Sequence, residues 1–120
     1  IFPLLSDKAG RPMWLANLTN DGWFGKSLGP RQHLAHVRLR AIEQGLPLMR
    51  SANTGISTAF DARGRQLAAL PLGQAGTLSV TLPPPLPAGL YAQFGDTVFF
   101  GLCLLLMSLI GVTTRWSRRR

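Results

Sequence analysis

The stretch from Trp14 to Gly25, WLANLTNDGWFG, constrains the fold of this chain more than any other. Trp14 to Thr19 sets β-favouring Trp and Thr among Leu and Ala, which predicts a short strand, and the turn formers Asn20, Asp21 and Gly22 end it. Two large aromatics, Trp23 and Phe24, then fall between Gly22 and Gly25, where glycine permits backbone angles closed to other residues. A loop at the carboxyl end of a strand is where α/β proteins place function. Two readings stay open at this point: the pair is presented to a ligand, or it plugs an edge of the core.

After this loop, Ser27, Leu28, Gly29 and Pro30 introduce a helix predicted from about Arg31 to Gln44, with proline near its start and Gly45 as its stop. At about 100° per residue, Leu34, Val37, Ala41 and Ile42 share one face, whereas His33, His36, Arg40 and Glu43 share the other. Arg38 projects within the apolar face, so its guanidinium needs a partner or a polar cleft. Glu43 is expected to pair with Arg38, Arg40 or Arg50, and these four form a candidate structural charge network. His33 and His36 stand three apart, but no further metal ligand is near them in sequence, so a hydrogen-bonded or solvated pair is expected and no metal.

Pro47 to Ala52 reads as the next strand, Asn53-Thr54-Gly55 as a turn, Ile56 to Phe60 as a strand, Asp61-Ala62-Arg63-Gly64 as a hairpin turn, and Gln66 to Leu70 as its return. A further strand is expected over Gly76 to Leu82, and a short helix over Phe2 to Gly10. Strand, helix, strand and then a meander place the chain in the mixed α/β class. Pro83, Pro84, Pro85 and Pro87 read as an extended linker that closes the domain.

From Thr97 to Thr114 run about 18 residues with no charge, rich in Leu, Phe and Val, which as a helix would extend roughly 27 Å. Tyr91 and Phe94 precede this run and Trp116 follows it, as interfacial aromatics do. One transmembrane helix is therefore expected over residues 95–114, with residues 1–90 outside and a basic cytoplasmic tail over residues 115–120. The formal charge of +8 points less to nucleic acid than it first suggests, because Arg115, Arg118, Arg119 and Arg120 hold half of it. A basic stripe with interleaved stacking aromatics is missing from the sequence, so nucleic acid is not an expected partner. The one cysteine, Cys103, excludes an internal disulfide and lies in the apolar run, where it reads as a small hydrophobe. A start at Ile1, without Met, points either to processing or to the tail of a longer protein, and the tail is the expectation.

Taken together, Asn20-Asp21-Gly22-Trp23-Phe24-Gly25, Gly29-Pro30, His33, Arg38, Arg40-Ala41-Ile42-Glu43, Pro47, Arg50 and Asn53-Thr54-Gly55-Ile56-Ser57 make the chain resemble the apolipoprotein N-acyltransferases of the nitrilase superfamily. Leu46 departs from that pattern, which usually carries an arginine before the proline. The resemblance implies the carboxy-terminal part of a nitrilase-like α/β/β/α sandwich, facing the periplasm of a bacterium and followed by a span of the inner membrane. It implies as partners a phospholipid acyl donor, the amino-terminal cysteine of an apolipoprotein, the membrane and the rest of a parent enzyme upstream of Ile1, with no cofactor. It implies acyl transfer through a cysteine thioester, with a glutamate base and a lysine beside the oxyanion. The family's Cys-Tyr-Glu motif lies just ahead of an Ile/Leu-Phe-Pro segment, so Ile1-Phe2-Pro3 puts all three catalytic residues outside this sequence and none is assigned here. Asn20, Asp21, Trp23 and Phe24 are the candidate substrate-binding residues. The alternatives are a membrane-anchored nitrilase-type amidase fragment and a non-catalytic membrane-anchored binding module.

Overall fold

The structure is a computed structural model that describes residues 10–117, with side-chain surroundings through residue 111. The helix expected over Phe2 to Gly10 therefore lies outside the described residues, Gly10 apart. Strand β1 (Leu15–Asn20) leads into a 3-10 turn (Gly22–Phe24) and helix α1 (Gly29–Gln44), after which β2 (Leu48–Asn53), β3 (Ser57–Phe60) and β4 (Gln66–Leu70) follow in order. The four strands form one sheet in the order β1-β2-β3-β4. β1 and β2 run parallel with Leu15 opposite Leu48 and Asn20 opposite Asn53, and both later pairs are antiparallel. The parallel pair requires a crossover, and α1 supplies it.

Helix α1 covers one face of the sheet. Val37 and Ala41 meet Leu48 and Phe60 in a buried cluster, with Leu15 and Leu34 packed at its border. Period two along the strands explains the pairing: Leu15, Asn17 and Thr19 point to the helix side, while Ala16, Leu18 and Asn20 are exposed. Pro30 sits in the first turn of α1, where its missing N–H costs nothing. Gly45, at φ 62°, ends the helix, and its N–H and that of Leu46 satisfy the carbonyls of Ile42 and Ala41 at 3.1 and 3.0 Å.

Two expectations are revised by the structure, and a third is not confirmed by it. Gly76 to Leu82 is not a strand. After β4 the chain turns at Gly73, whose N–H donates to the Thr54 carbonyl at 3.0 Å, and Thr77 and Leu78 then lie over the sheet face opposite α1, beside Trp14 and Leu18, rather than along its edge. Crossing a face leaves no neighbouring strand to complete a ladder. The proline segment, secondly, is irregular as expected but does not leave the domain. Leu86 N–H donates to the Gly45 carbonyl at 2.9 Å, and the Arg11 guanidinium bridges the Leu86 carbonyl, at 2.5 Å, to that of Gln44. Proline supplies no donor, so one leucine and an arginine from the opposite end of the domain hold the segment to the end of α1.

The third concerns the apolar run. A short helix α2 (Leu90–Phe94), not foreseen from sequence, precedes helix α3 (Thr97–Ser117), which is 21 residues long. Among the described residues no helix is long and apolar enough to cross a membrane. Phe99, Phe100, Leu102, Leu104, Leu106 and Met107 are all exposed, so over Thr97 to Gly111 the helix presents apolar side chains on several faces.

Candidate functional site

The site is built where β1 and β2 end side by side. Parallel register sets Asn17 opposite Arg50, on the helix-side face. Above them the first turns of α1 bring His33 over the sheet. The Arg50 guanidinium, wholly buried, donates to Asn17 Oδ1 at 2.6 Å, to Asp21 Oδ2 at 2.5 Å and to the Ile56 carbonyl at 3.2 Å. The Asp21 carboxylate is equally buried, and its other oxygen, Oδ1, lies 3.0 Å from His33 Nδ1. Both oxygens of Asp21 are thus committed, and Arg50 is bound on three sides. An arginine and a carboxylate without water are tolerable only when each is paired and hydrogen-bonded in this way.

This buried cluster fixes the root of the aromatic loop. Asp21 is the last residue before the 3-10 turn, its N–H donates to the Asn53 carbonyl at 3.2 Å, and its carbonyl receives the Phe24 N–H at 3.0 Å. Asn20 folds back on the loop: its Oδ1 accepts from Gly22 N–H at 3.0 Å and from Asn53 Nδ2 at 3.2 Å. Phe24 closes the other side by packing edge-on to His33, with ring centroids 5.8 Å apart. A Cβ on Gly29 would stand 2.7 Å from Phe24 Cγ, so glycine at that position is what lets the ring lie against the start of α1. Trp23 then has nowhere to go but outward, and it is 86% exposed.

Geometry therefore sorts the four candidate binding residues. Trp23 is displayed, Phe24 is half turned into the loop base at 43% exposure, Asn20 caps the loop, and Asp21 faces inward to Arg50. Trp23 is not a core plug in this chain. Hydrogen bonds from Phe24 N–H to the Asp21 carbonyl and from Gly25 N–H to that of Gly22, with the Phe24–His33 ring contact, tie the loop to its base. The expected charge network of Arg38, Arg40, Glu43 and Arg50 is three separate arrangements. Arg40 Nη1 and Glu43 Oε2 pair at 2.7 Å on the surface of α1, Arg38 Nε donates to the Gly64 carbonyl at 2.7 Å, and Arg50 belongs to Asp21. His36 does not join His33, and among the described residues no group of three or more His, Cys, Asp or Glu is placed to hold a metal.

Sequence reasoning missed Asn17 and the Asp21–Arg50 pair. A signal existed in the alternation of β1: Asn17 is a polar residue on the inward face, and such a residue needs a buried partner. The register that supplies Arg50 as that partner is a tertiary fact. Opposite the loop, Thr54 adopts φ 58°, a conformation that costs a β-branched residue about 1–3 kcal/mol. A Cβ on its neighbour Gly55 would lie 2.7 Å from Asp21 Cγ, so this second turn is shaped around the same carboxylate. Chemically, the cluster positions rather than reacts. With both oxygens of Asp21 engaged, the large side chain that the loop leaves exposed is the indole of Trp23.

Comparison with known proteins identifies the family. The family profile described as carbon-nitrogen hydrolase matches residues 8–87, which include the sheet, α1 and the aromatic loop. The chain is 50% identical over 120 residues to an apolipoprotein N-acyltransferase of Bradyrhizobium diazoefficiens, covering 99% of this chain and 22% of the relative. It is 53% identical over 100 residues to the protein of that name from Rhodopseudomonas palustris, covering 83% of this chain and 19% of the relative, and 43% identical over 123 residues to that of Bordetella bronchiseptica. The chain thus spans about a fifth of the length of the curated relatives it matches. A parallel β-α-β unit continued by a meander, a matched span covering most of the chain, and these relatives together place the chain in the carbon-nitrogen hydrolase family, where it resembles the apolipoprotein N-acyltransferases.

Proposed function

We propose that this chain is the carboxy-terminal part of a bacterial membrane N-acyltransferase that moves an acyl chain from a phospholipid to the amino-terminal cysteine of apolipoproteins through a thioester. The observation that carries this reading is the 50% identity to an apolipoprotein N-acyltransferase over 120 residues, which include the loop that exposes Trp23. In this reading the nucleophile, the base and the oxyanion lysine lie in the remainder of the parent enzyme. This chain contributes half of the sandwich, the substrate-contacting loop around Trp23 and Phe24, and a membrane attachment. Acyl chains and a lipidated peptide are apolar, and an exposed indole suits them.

The exposed apolar side chains of α3, continued in sequence through Thr114, support its role as a span of the inner membrane. The arginines after Thr114 then favour a cytoplasmic carboxyl terminus and a periplasmic globular part. A reporter fused after Arg120 tests the orientation, and activity only outside the cytoplasm refutes it. Incubation of the chain in detergent with a phospholipid donor and a diacylated lipopeptide tests the division of labour: neither thioester nor product should form. Turnover that depends on Cys103, its only thiol, overturns the assignment of the nucleophile to the rest of the enzyme.

A further inference from the structure

Away from the aromatic loop, a groove of about 340 Å³ runs between α1 and the β3–β4 hairpin. Arg31 and Arg38, on one face of α1, and Arg65, on the hairpin, line it over an apolar floor that includes Leu34 and Phe60. The hairpin turn, from Asp61 to Arg65, lies at the end of the sheet opposite Asp21, because β3 runs antiparallel to β2 and brings Phe60 opposite Leu48.

Two of the three guanidiniums are held in place by a single nitrogen. Arg38 Nε donates to the Gly64 carbonyl at 2.7 Å, and Arg65 Nε to Asp61 Oδ2 at 2.6 Å. Their terminal nitrogens have no hydrogen-bond partner among the described residues. Among the described residues the acid beside them is Asp61, whose Oδ1 already receives the N–H groups of Arg63 and Arg65 at 2.9 and 2.7 Å. Gly64, at φ 73°, makes this approach possible, for a side chain there would meet Ile42 and the stem of Arg38. Three arginines against one carboxylate, that of Asp61 paired with Arg65, leave a net positive field around the concavity, and preset guanidinium forks match the oxygens of a tetrahedral anion.

We infer that this groove binds the phosphate group of an organic phosphate, with Arg31, Arg38 and Arg65 on the oxygens and the Leu34–Phe60 floor under the organic part. The inference is independent of the role proposed for Trp23. A phospholipid headgroup and a soluble phosphate present the same chemistry, and the experiment separates them.

The full chain in maltoside micelles is titrated with inorganic phosphate at constant ionic strength, with chloride as the comparison, while the arginine Nε–H resonances are followed by NMR. Saturable shifts of Arg38 and Arg65 with phosphate and not chloride are expected, and the apparent Kd should rise about tenfold in Arg31→Gln or Arg38→Gln. Arg63→Gln, which removes the same charge from the hairpin outside the groove, should leave it within about twofold. A response to chloride equal to that to phosphate, or equal weakening by Arg63→Gln, reduces the effect to net charge and overturns the site. Repeating the titration with monomeric dihexanoyl phosphatidylglycerol identifies the source: tighter binding than inorganic phosphate assigns a lipid headgroup, and equal or weaker binding a soluble phosphate. Failure here leaves the acyltransferase reading untouched, and loss of that reading leaves the groove intact.

Discussion

Removing the Arg50 side chain tests the whole construction of the site. In Arg50→Met the stem volume is kept, but the donors to Asn17, Asp21 and Ile56 are lost and the Asp21 carboxylate, fully buried, is left without its cation. Breaking one side of a buried ion pair costs about 3–5 kcal/mol, which is a large share of the 5–15 kcal/mol that typically holds a domain folded. The expected signature in urea titration of the chain in micelles, followed by circular dichroism, is a lower midpoint with an unchanged slope. Asp21→Leu should cost a similar amount, because it strands the guanidinium instead. The double variant Asp21→Leu/Arg50→Met leaves no stranded charge, so its cost should fall well below the sum of the two, with a coupling of about 2 kcal/mol or more. A loss below about 1 kcal/mol for Arg50→Met, or strict additivity in the double variant, refutes the claim that this pair holds the strand ends and the root of the loop together.

Trp23→Ala should change stability by less than about 1 kcal/mol, because the indole is 86% exposed, yet in the complete enzyme it should raise KM or lower kcat; a marked fall in Tm with normal turnover of the folded fraction contradicts the contact role. Gly55→Ala should destabilise by about 1–3 kcal/mol in thermal unfolding, since the new methyl stands 2.7 Å from Asp21 Cγ. Burial raises the Asp61 pKa, but the hydrogen bonds and charge of Arg65 and the Arg63 N–H outweigh this and hold it below its ordinary 3.8. A carboxyl depressed in the folded state stabilises above its unfolded pKa, so this contribution is present at neutral pH and is lost as pH falls below about 4 through the depressed folded value. Asp61→Asn should accordingly flatten the acid limb of the stability profile, and an unchanged limb counts against the hairpin's charge lock.

Much of this protein is legible in residue order. Turn formers and glycines bracket Trp23 and Phe24, proline and Gly45 bound α1, and the return after the Asp61 to Gly64 turn, expected over Gln66 to Leu70, is a strand that the structure contains with the same bounds. These are local matters of backbone freedom, hydrogen-bond supply and period, and a sequence states them directly. Where the chain passes after β4 is not local. Gly76 to Leu82 has the composition of a strand, but a ladder needs a free edge, and the Gly73–Thr54 hydrogen bond sends the segment across the face of the sheet. The charges show the same division. Arg40 and Glu43 are helix neighbours three apart and pair as such, whereas Arg50 and Asp21 are 29 residues apart and meet only because β1 and β2 lie parallel in a register that ends both strands together. Sequence alone determined that an aromatic pair would stand on a turn after a strand. The tertiary structure decided that Phe24 turns in and Trp23 turns out, because only there do a buried carboxylate, an arginine, a histidine and a side-chain-free Gly29 converge on the base of one loop.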